Sequence, residues 1–383
     1  MFQKLILHHY RNYASTTLNF HPELGVTYIV GDNAQGKTNI LEAIYLLALG
    51  KSFRAPKKED LVTWGAEYAR VQGVFEDLGL NEDERGIVKK RYELEVFLGL
   101  PPQPRLVLKK NDIKVGAIDF IGNCQVVFFH PEDLNMLYLG PDLRRAYLDV
   151  MNIQLSKAYF LAFKRYKKVL EQRNALLRAV KEGRTSGEDL KIWDKLLIDE
   201  GVILYQQRAK TLDFINKHIS TYYQKISEGS EEIVVRYVNS LGISADEILA
   251  QSYHLSSRYH ETLEMAKTKD FQAEFTTVGP HRDDFEVYLN GRKIEKHASR
   301  GEYRSIMLAL KLIELEFFKH NGVATPLLLL DDVFSELDEK RQKHLIAAME
   351  GVQTIITTTK DHMNDELTAV GGETFEVRGG KVI

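Results

Sequence analysis

Gly31-Asp32-Asn33-Ala34-Gln35-Gly36-Lys37-Thr38 is a G-x-x-x-x-G-K-T octapeptide, and its reading decides the fold. It follows an apolar run at 26–30, which reads as a buried strand. It precedes residues 39–49, where Ile40, Ile44 and Leu47 recur at helical spacing before Gly50 caps the end. A strand that ends in such a loop and passes straight into a helix is the setting in which the octapeptide cradles phosphate. Backbone amides turn inward, glycines allow close approach, and the helix adds the positive end of its dipole. All eight residues are therefore read as a nucleotide-binding loop. Lys37 supplies a point charge for the β- and γ-phosphates of ATP, and the Thr38 hydroxyl ligates Mg2+.

Leu327-Leu328-Leu329-Leu330-Asp331-Asp332 reads as a buried central strand whose tip points at the crevice of that loop. Asp331 holds Mg2+ through water in this reading, and Asp332 sits where a base orients attacking water. Ser299-Arg300-Gly301-Glu302 leads a long apolar-faced helix and supports two compatible readings. Ser299 and Glu302 have capping-box spacing. A capped, amide-rich N-terminus is also an anion site, so Ser299 and Gly301 can bind a γ-phosphate held by another subunit. Arg11, in Arg11-Asn12-Tyr13, is placed against phosphate or adenine, the alternative being a solvated strand end.

Organisation follows from changes of period. Short strands are expected at 4–8, 18–20, 71–76, 91–98, 105–109 and 125–129. From 156 the spacing of Tyr159, Phe163, Tyr166, Leu170 and Leu177 predicts an amphipathic helix, and 197–222 predicts a second, antiparallel to it. The α/β rhythm returns after 271. The prediction is one α/β head split in sequence, residues 1–140 and 275–383, with a mostly helical arm inserted at 141–274. The net charge of -3 means that any nucleic-acid contact uses a local basic patch. Lys51, Arg54, Lys57 and Lys58 form the favoured patch, and Lys164, Arg165, Lys167 and Lys168 the second. The one cysteine, Cys124, excludes intrachain disulfides and multi-cysteine zinc sites and suits a reducing cytosol. No apolar run approaches the ~20 residues of a membrane span, and the first eleven residues read as a strand rather than a leader.

Taken together, the motifs resemble the SMC/RecF group of DNA-acting ABC-type ATPases, and within it the RecF family. Pro131-Glu132-Asp133-Leu134, Gly140-Pro141, Arg144-Arg145 and Tyr147-Leu148-Asp149 look like one fingerprint of that family. Gly279-Pro280-His281-Arg282-Asp283-Asp284, Phe334-Ser335-Glu336-Leu337-Asp338 and Lys51-Ser52-Phe53-Arg54 are similar to others. The likeness covers nearly the whole chain. It implies an ABC-type head, a signature at Ser299–Gly301 and a D-loop at Ser335–Asp338, although the latter is locally an ordinary helix start. It further implies a cytoplasmic, ATP-dependent homodimer that binds gapped DNA and single/double-strand junctions. With RecO- and RecR-type mediators such a protein helps a RecA-type recombinase displace single-strand-binding protein. Two departures stand out. Glu302 replaces the usual glutamine, which sets a carboxylate near a triphosphate, and Leu139 replaces a glycine, which alters a turn. Gln125 is a candidate for the Q-loop glutamine. Thr357-Thr358-Thr359 stands at the switch-histidine position of transporter ATPases, and His362 reads as a helix start. A short SMC-like DNA organiser is the alternative, but its arms need hundreds of heptad residues. A transporter ATPase is disfavoured by the fused helical insertion.

Overall fold

The computed structural model describes residues 1–80, 87–102, 105–250, 254–362 and 365–383, the side chains of 77–80, 87–89, 362, 365 and 366 excepted. In chain order it begins β1 (Phe2–Tyr10), β2 (Tyr13–Asn19), β3 (Val26–Val30), α1 (Lys37–Leu49), β4 (Tyr68–Leu80), β5 (Ile87–Gly99), β6 (Arg105–Lys110), β7 (Ile113–Val115), α2 (Ala117–Phe120) and β8 (Val126–Phe129). A helix-rich stretch follows: α3 (Asn135–Tyr138), α4 (Pro141–Leu155), α5 (Lys157–Lys181), α6 (Leu190–Ser227), β9 (Ile233–Val238), α7 (Ala245–Ala250) and α8 (Leu255–Ala273). Then come β10 (Asp284–Leu289), β11 (Arg292–Lys293), α9 (Ile294–His297) and α10 (Arg300–His320). The chain ends with β12 (Leu327–Asp331), α11 (Glu339–Met349), β13 (Thr354–Thr358), α12 (Asp365–Val370), β14 (Glu373–Arg378) and β15 (Lys381–Val382).

Two compact units result, Met1–Asp133 with Glu314–Ile383, and Leu134–Ile313. The first holds two six-stranded sheets. One is antiparallel, in the order β2-β1-β4-β5-β6-β7. The other has the order β15-β14-β3-β13-β12-β8, and all its pairings are parallel except that of the edge strand β15. Helix α1 touches β4 and β5 of the first sheet and β8, β12 and β13 of the second. That position explains a helix apolar almost all round, with Ile40 through Leu49 buried.

The second unit extends further than the helical periodicity predicts, and its divisions fall at 133/134 and 313/314 rather than 140/141 and 274/275. The reason is pairing: β10 joins β9 antiparallel, with Phe285 and Val287 buried, and Arg144 of α4 forms an ion pair with Asp284 at 2.6 Å. Two family-like fingerprints far apart in sequence are thus clasped together. Arg208 of α6 adds to the clasp by donating to Asp149 at 2.8 Å and to the Pro280 carbonyl at 2.6 Å. Strand β9 itself lies inside a stretch read as helical.

The hairpin of α5 and α6 forms as expected, but its buried face differs from an all-apolar stripe. Tyr159, Ala162, Tyr166, Val169 and Leu177 are buried on α5, and so is Arg173. The Arg173 guanidinium donates to Asp194 on α6 at 2.7 Å and to Asp270 on α8 at 2.6 Å. It also donates to Thr276 at 2.8 Å, and all three charged side chains are buried. Replacing Arg173 by Met strands two buried carboxylates. The expected cost is about 3–5 kcal/mol of unfolding free energy, read as a lower urea midpoint at unchanged slope.

Candidate nucleotide-binding site

Strands β3, β13 and β12 end together at one edge of the parallel sheet. Thr358 lies opposite Val30, and Thr357 opposite Asp331. The octapeptide leaves the tip of β3 and turns through left-handed backbone at Ala34 (φ 63°) and Gly36 (φ 113°). Gly36 is further required by space, because a Cβ there would meet the Asn12 side chain at 2.5 Å. At Gly31 a Cβ would meet the Val377 carbonyl of β14 at 2.4 Å. Lys37 opens α1 and folds back across the loop, donating to the Gly31 and Asp32 carbonyls at 2.6 and 2.9 Å. Burial lowers its pKa, and the nearby Asp332, Asp331 and Asp32 pull the other way.

One carboxylate oxygen gathers the site. Asp331 Oδ1 accepts from the Thr38 hydroxyl at 2.8 Å and from the Thr357 hydroxyl at 2.6 Å. Asp332 follows in left-handed backbone (φ 51°), and its N–H donates to the Thr357 carbonyl at 3.1 Å. These groups, Asn33 to Asn39 and Arg54 line a cavity of about 310 Å³. The sequence places Thr357 only at a switch position, and the strand order explains its contact with Asp331, since β13 lies between β3 and β12.

Arg11 and Arg54 converge on Glu42, a carboxylate with no exposed surface in the middle of α1. Arg11 donates to it through Nε at 2.8 Å and a terminal nitrogen at 2.7 Å, and to the Asp60 carbonyl at 2.7 Å. Arg54 donates to Glu42 at 3.2 Å and also to Asn39, and Ser52 donates at 2.6 Å. Burial pushes the Glu42 pKa up, but the hydrogen bonds from Arg11, Arg54 and Ser52 outweigh it and bring the group down to about 2. Arg11 thus lines a second cavity, of about 890 Å³, rather than the phosphate cavity. Arg54 lines both, which sets it apart from Lys51, Lys57 and Lys58, all exposed.

The family model for the RecF/RecN/SMC N terminal domain matches residues 1–380. A "DNA replication and repair protein RecF" from Halalkalibacterium halodurans is 35% identical over 382 residues, covering 99% of this chain and 98% of that protein. The chain belongs to the RecF family. A solved structure of the recombination mediator protein RecF-ATP in the RecFOR pathway matches with TM-score 0.85 at 32% identity, covering 100% of this chain and 98% of the other. An Smc head bound to the C-winged helix domain of ScpA matches with TM-score 0.55 at 17% identity, covering 100% of this chain and 96% of that one, a likeness of fold alone.

Elsewhere in this RecF-family chain the expected residues are placed as follows. Ser299 and Glu302 form the capping box: the Ser299 N–H donates to the Glu302 carboxylate at 2.6 Å, and the Glu302 N–H donates to the Ser299 hydroxyl at 3.3 Å. The carboxylate that replaces glutamine is therefore turned back on its own helix start, in the first turn that also holds Gly301. Asp338 caps α11 by accepting from the Arg341 N–H at 3.0 Å. Gln125 is not at the nucleotide end. It precedes β8, which runs parallel to β12, and lies at the end of the sheet opposite Asp331. Leu139 adopts extended backbone (φ -89°, ψ -173°), so no glycine is needed there. The side chain of His362 lies outside the described residues.

Hydroxyl and carboxylate oxygens from Thr38 and Asp331 are hard donors suited to Mg2+. Among the described residues no group of three or more His, Cys, Asp or Glu is placed to hold a metal ion.

The depressed Glu42 pKa has a pH signature. Its stabilisation is complete above the ordinary value of 4.5 and is lost as pH falls through about 2. The swing amounts to about 3 kcal/mol. Denaturation followed over that window is expected to show the loss in the native sequence. Glu42→Gln is expected to be less stable at neutral pH and to lose that share of the slope across the same window, the other carboxylates titrating as before.

Proposed function

We propose that the chain is an ATP-dependent DNA-binding protein of replication and recombinational repair. In this reading it hydrolyses ATP weakly, in response to DNA, and uses hydrolysis to reset binding. The observation that carries it is the meeting of Thr38, Thr357 and Asp331 on one oxygen beside Lys37, inside a cavity lined by the glycine-rich loop. Relatives named for DNA replication and repair, and a solved relative described as RecF-ATP, support it. Lys37 and the loop amides bind the β- and γ-phosphates, and Thr38 and Asp331 hold Mg2+. The ion, when bound, neutralises charge on those oxygens. Asp332 orients water for attack on the γ-phosphorus and takes its proton as the bond to ADP breaks. Aspartate is one methylene shorter than glutamate, so turnover is slow.

In the same reading two copies close around ATP, the Ser299–Gly301 amides of each meeting the γ-phosphate on the other. Glu302 must swing off the Ser299 N–H for that contact to form, which raises the threshold for bridging. The dimer binds gapped DNA and single/double-strand junctions in the cytoplasm, and with RecO- and RecR-type mediators it helps load a RecA-type recombinase. No described helix is long and apolar enough to cross a membrane. Lys57 and Lys58 are the favoured phosphate contacts, because they are exposed and lie just beyond the helix that carries Lys37 and Thr38. The arm cations are partly engaged: Lys167 lies 4.3 Å from the centre of the Phe163 ring, and Arg165 faces Glu200 at 3.5 Å.

Sedimentation with ATP or ADP, with and without gapped DNA, tests the reading. ATP is expected to produce a dimer, and gapped DNA to raise turnover. Lys37→Ala should abolish ATP binding in calorimetry, whereas Ser299→Arg should keep it and lose the dimer. A normal ATP-induced dimer in Ser299→Arg leaves that serine a helix cap and no more. Neutralising Lys57 and Lys58 should weaken DNA binding and flatten its log-salt slope by about one unit per lost phosphate contact, with ATP binding intact.

A further inference from the structure

Trp64 is the most exposed large apolar side chain among the described residues, at 101% of its free surface. Single exposed apolar residues are common on protein surfaces. What distinguishes this one is how firmly its turn is held and what it borders. The Ala66 N–H donates to the Thr63 carbonyl at 3.0 Å, closing the turn. The Thr63 N–H donates to the His9 carbonyl at 2.7 Å, and the Leu100 N–H to the Glu67 carbonyl at 2.9 Å. Val62 bridges to Tyr10. The indole therefore stands in water on a backbone tied to β1 and to the end of β5.

It also stands on the rim of the cavity of about 890 Å³, together with Pro56, Leu100 and Asn12. Asn39 and Arg54 line this cavity and the phosphate cavity alike. A triphosphate anchored on Lys37 and Thr38 must carry its ribose and base out of the smaller space, and the larger one opens beside it. In sequence, Lys57 and Lys58 lie between the cavity-lining Pro56 and Glu59, and both are exposed. Residues 51–68 hold four cations, Lys51, Arg54, Lys57 and Lys58, against three carboxylates, Glu59, Asp60 and Glu67. Charge alone gives this segment little grip, and an aromatic face adds a kind of affinity that salt does not screen.

We propose that Trp64 is a nucleobase-stacking residue at the mouth of the nucleotide pocket. Its ligand is a purine or pyrimidine ring with a phosphate close by. Two sources carry that chemistry: the adenine of ATP held by Lys37 and Thr38, and an unpaired base of DNA whose flanking phosphates meet Lys57 and Lys58. Every base has a π-face, and only an unpaired one presents it along the strand, so the same indole favours single-stranded over duplex DNA. The inference rests on the ATP- and DNA-binding reading above.

The chain has two tryptophans, so Trp193→Phe leaves Trp64 as the only indole. The full-length variant is titrated with Mg-ATP, Mg-tripolyphosphate, single-stranded oligothymidylate and blunt duplex, following Trp64 emission. Quenching by ATP and not by tripolyphosphate assigns the adenine. Quenching by oligothymidylate without ATP, and not by blunt duplex, assigns the DNA base. Either result supports the proposal if Trp64→Ala weakens that same ligand roughly tenfold and Trp64→Phe recovers most of the loss. Because the side chain is in water, neither change disturbs the core. ATP and DNA binding that proceeds with unaltered emission, and with unaltered affinity in Trp64→Ala, overturns the proposal and leaves the indole to a protein partner. If calorimetry and anisotropy detect no binding of ATP or DNA, the parent reading falls and this one with it.

Discussion

Much of this molecule turns on one oxygen. Asp331 Oδ1 accepts hydroxyl protons from Thr38 and Thr357, groups that belong to a helix start and to a neighbouring strand tip. That meeting requires β3, β13 and β12 to be parallel and in register, because a shift of one residue turns every side chain to the other face. The apolar runs 26–30 and 327–330 supply the burial that fixes the register, and the carboxylates sit where those runs stop. Polarity at the tip of an otherwise apolar strand is thus an outcome of core packing.

A second constraint lies beneath the first. Glu42 sits in a helix packed between two sheets, where a lone carboxylate is tolerated only with its lone pairs satisfied. Arg11, Arg54 and Ser52 satisfy it. The clamp fixes the turn after β1 and the segment after α1 against the helix that carries Lys37 and Thr38. The guanidinium of Arg54 is held at the phosphate cavity by the same contact.

What was legible in the sequence follows from range. The octapeptide, the Asp331-Asp332 pair and the Ser299–Glu302 box are local patterns with local chemistry, and the capping box is present as its spacing predicted. The ion pairs of Arg11 and Arg54 with Glu42 are not legible from the motifs, because the partner lies 31 and 12 residues away on a helix whose pattern is apolar. The clue was there: a glutamate inside a run of Ile, Leu, Ala and Tyr needs a cation. Gln125, one candidate for the Q-loop, falls at the opposite end of the sheet, and a sequence alone does not tell which end, because that depends on the neighbouring strand's direction. Strand β9, with Ile233, Val234, Val235, Tyr237 and Val238, carries strand-forming residues inside a stretch whose flanks are helical.

The division of the first unit bears on the order of synthesis. Strand β3, which delivers the phosphate loop, pairs on one side with β13 and on the other with β14, and Val26 has Thr354 as its partner. More than three hundred residues separate them. A nascent chain therefore exposes the glycine-rich loop long before the strands that flank it exist, while the intervening unit is complete by Ile313. Such distant pairing is slow to close and leaves apolar edges of β3 open in the meantime. Competence to hold a nucleotide arrives late, with the final strands, so a chain cut short before β13 carries an intact motif and no pocket.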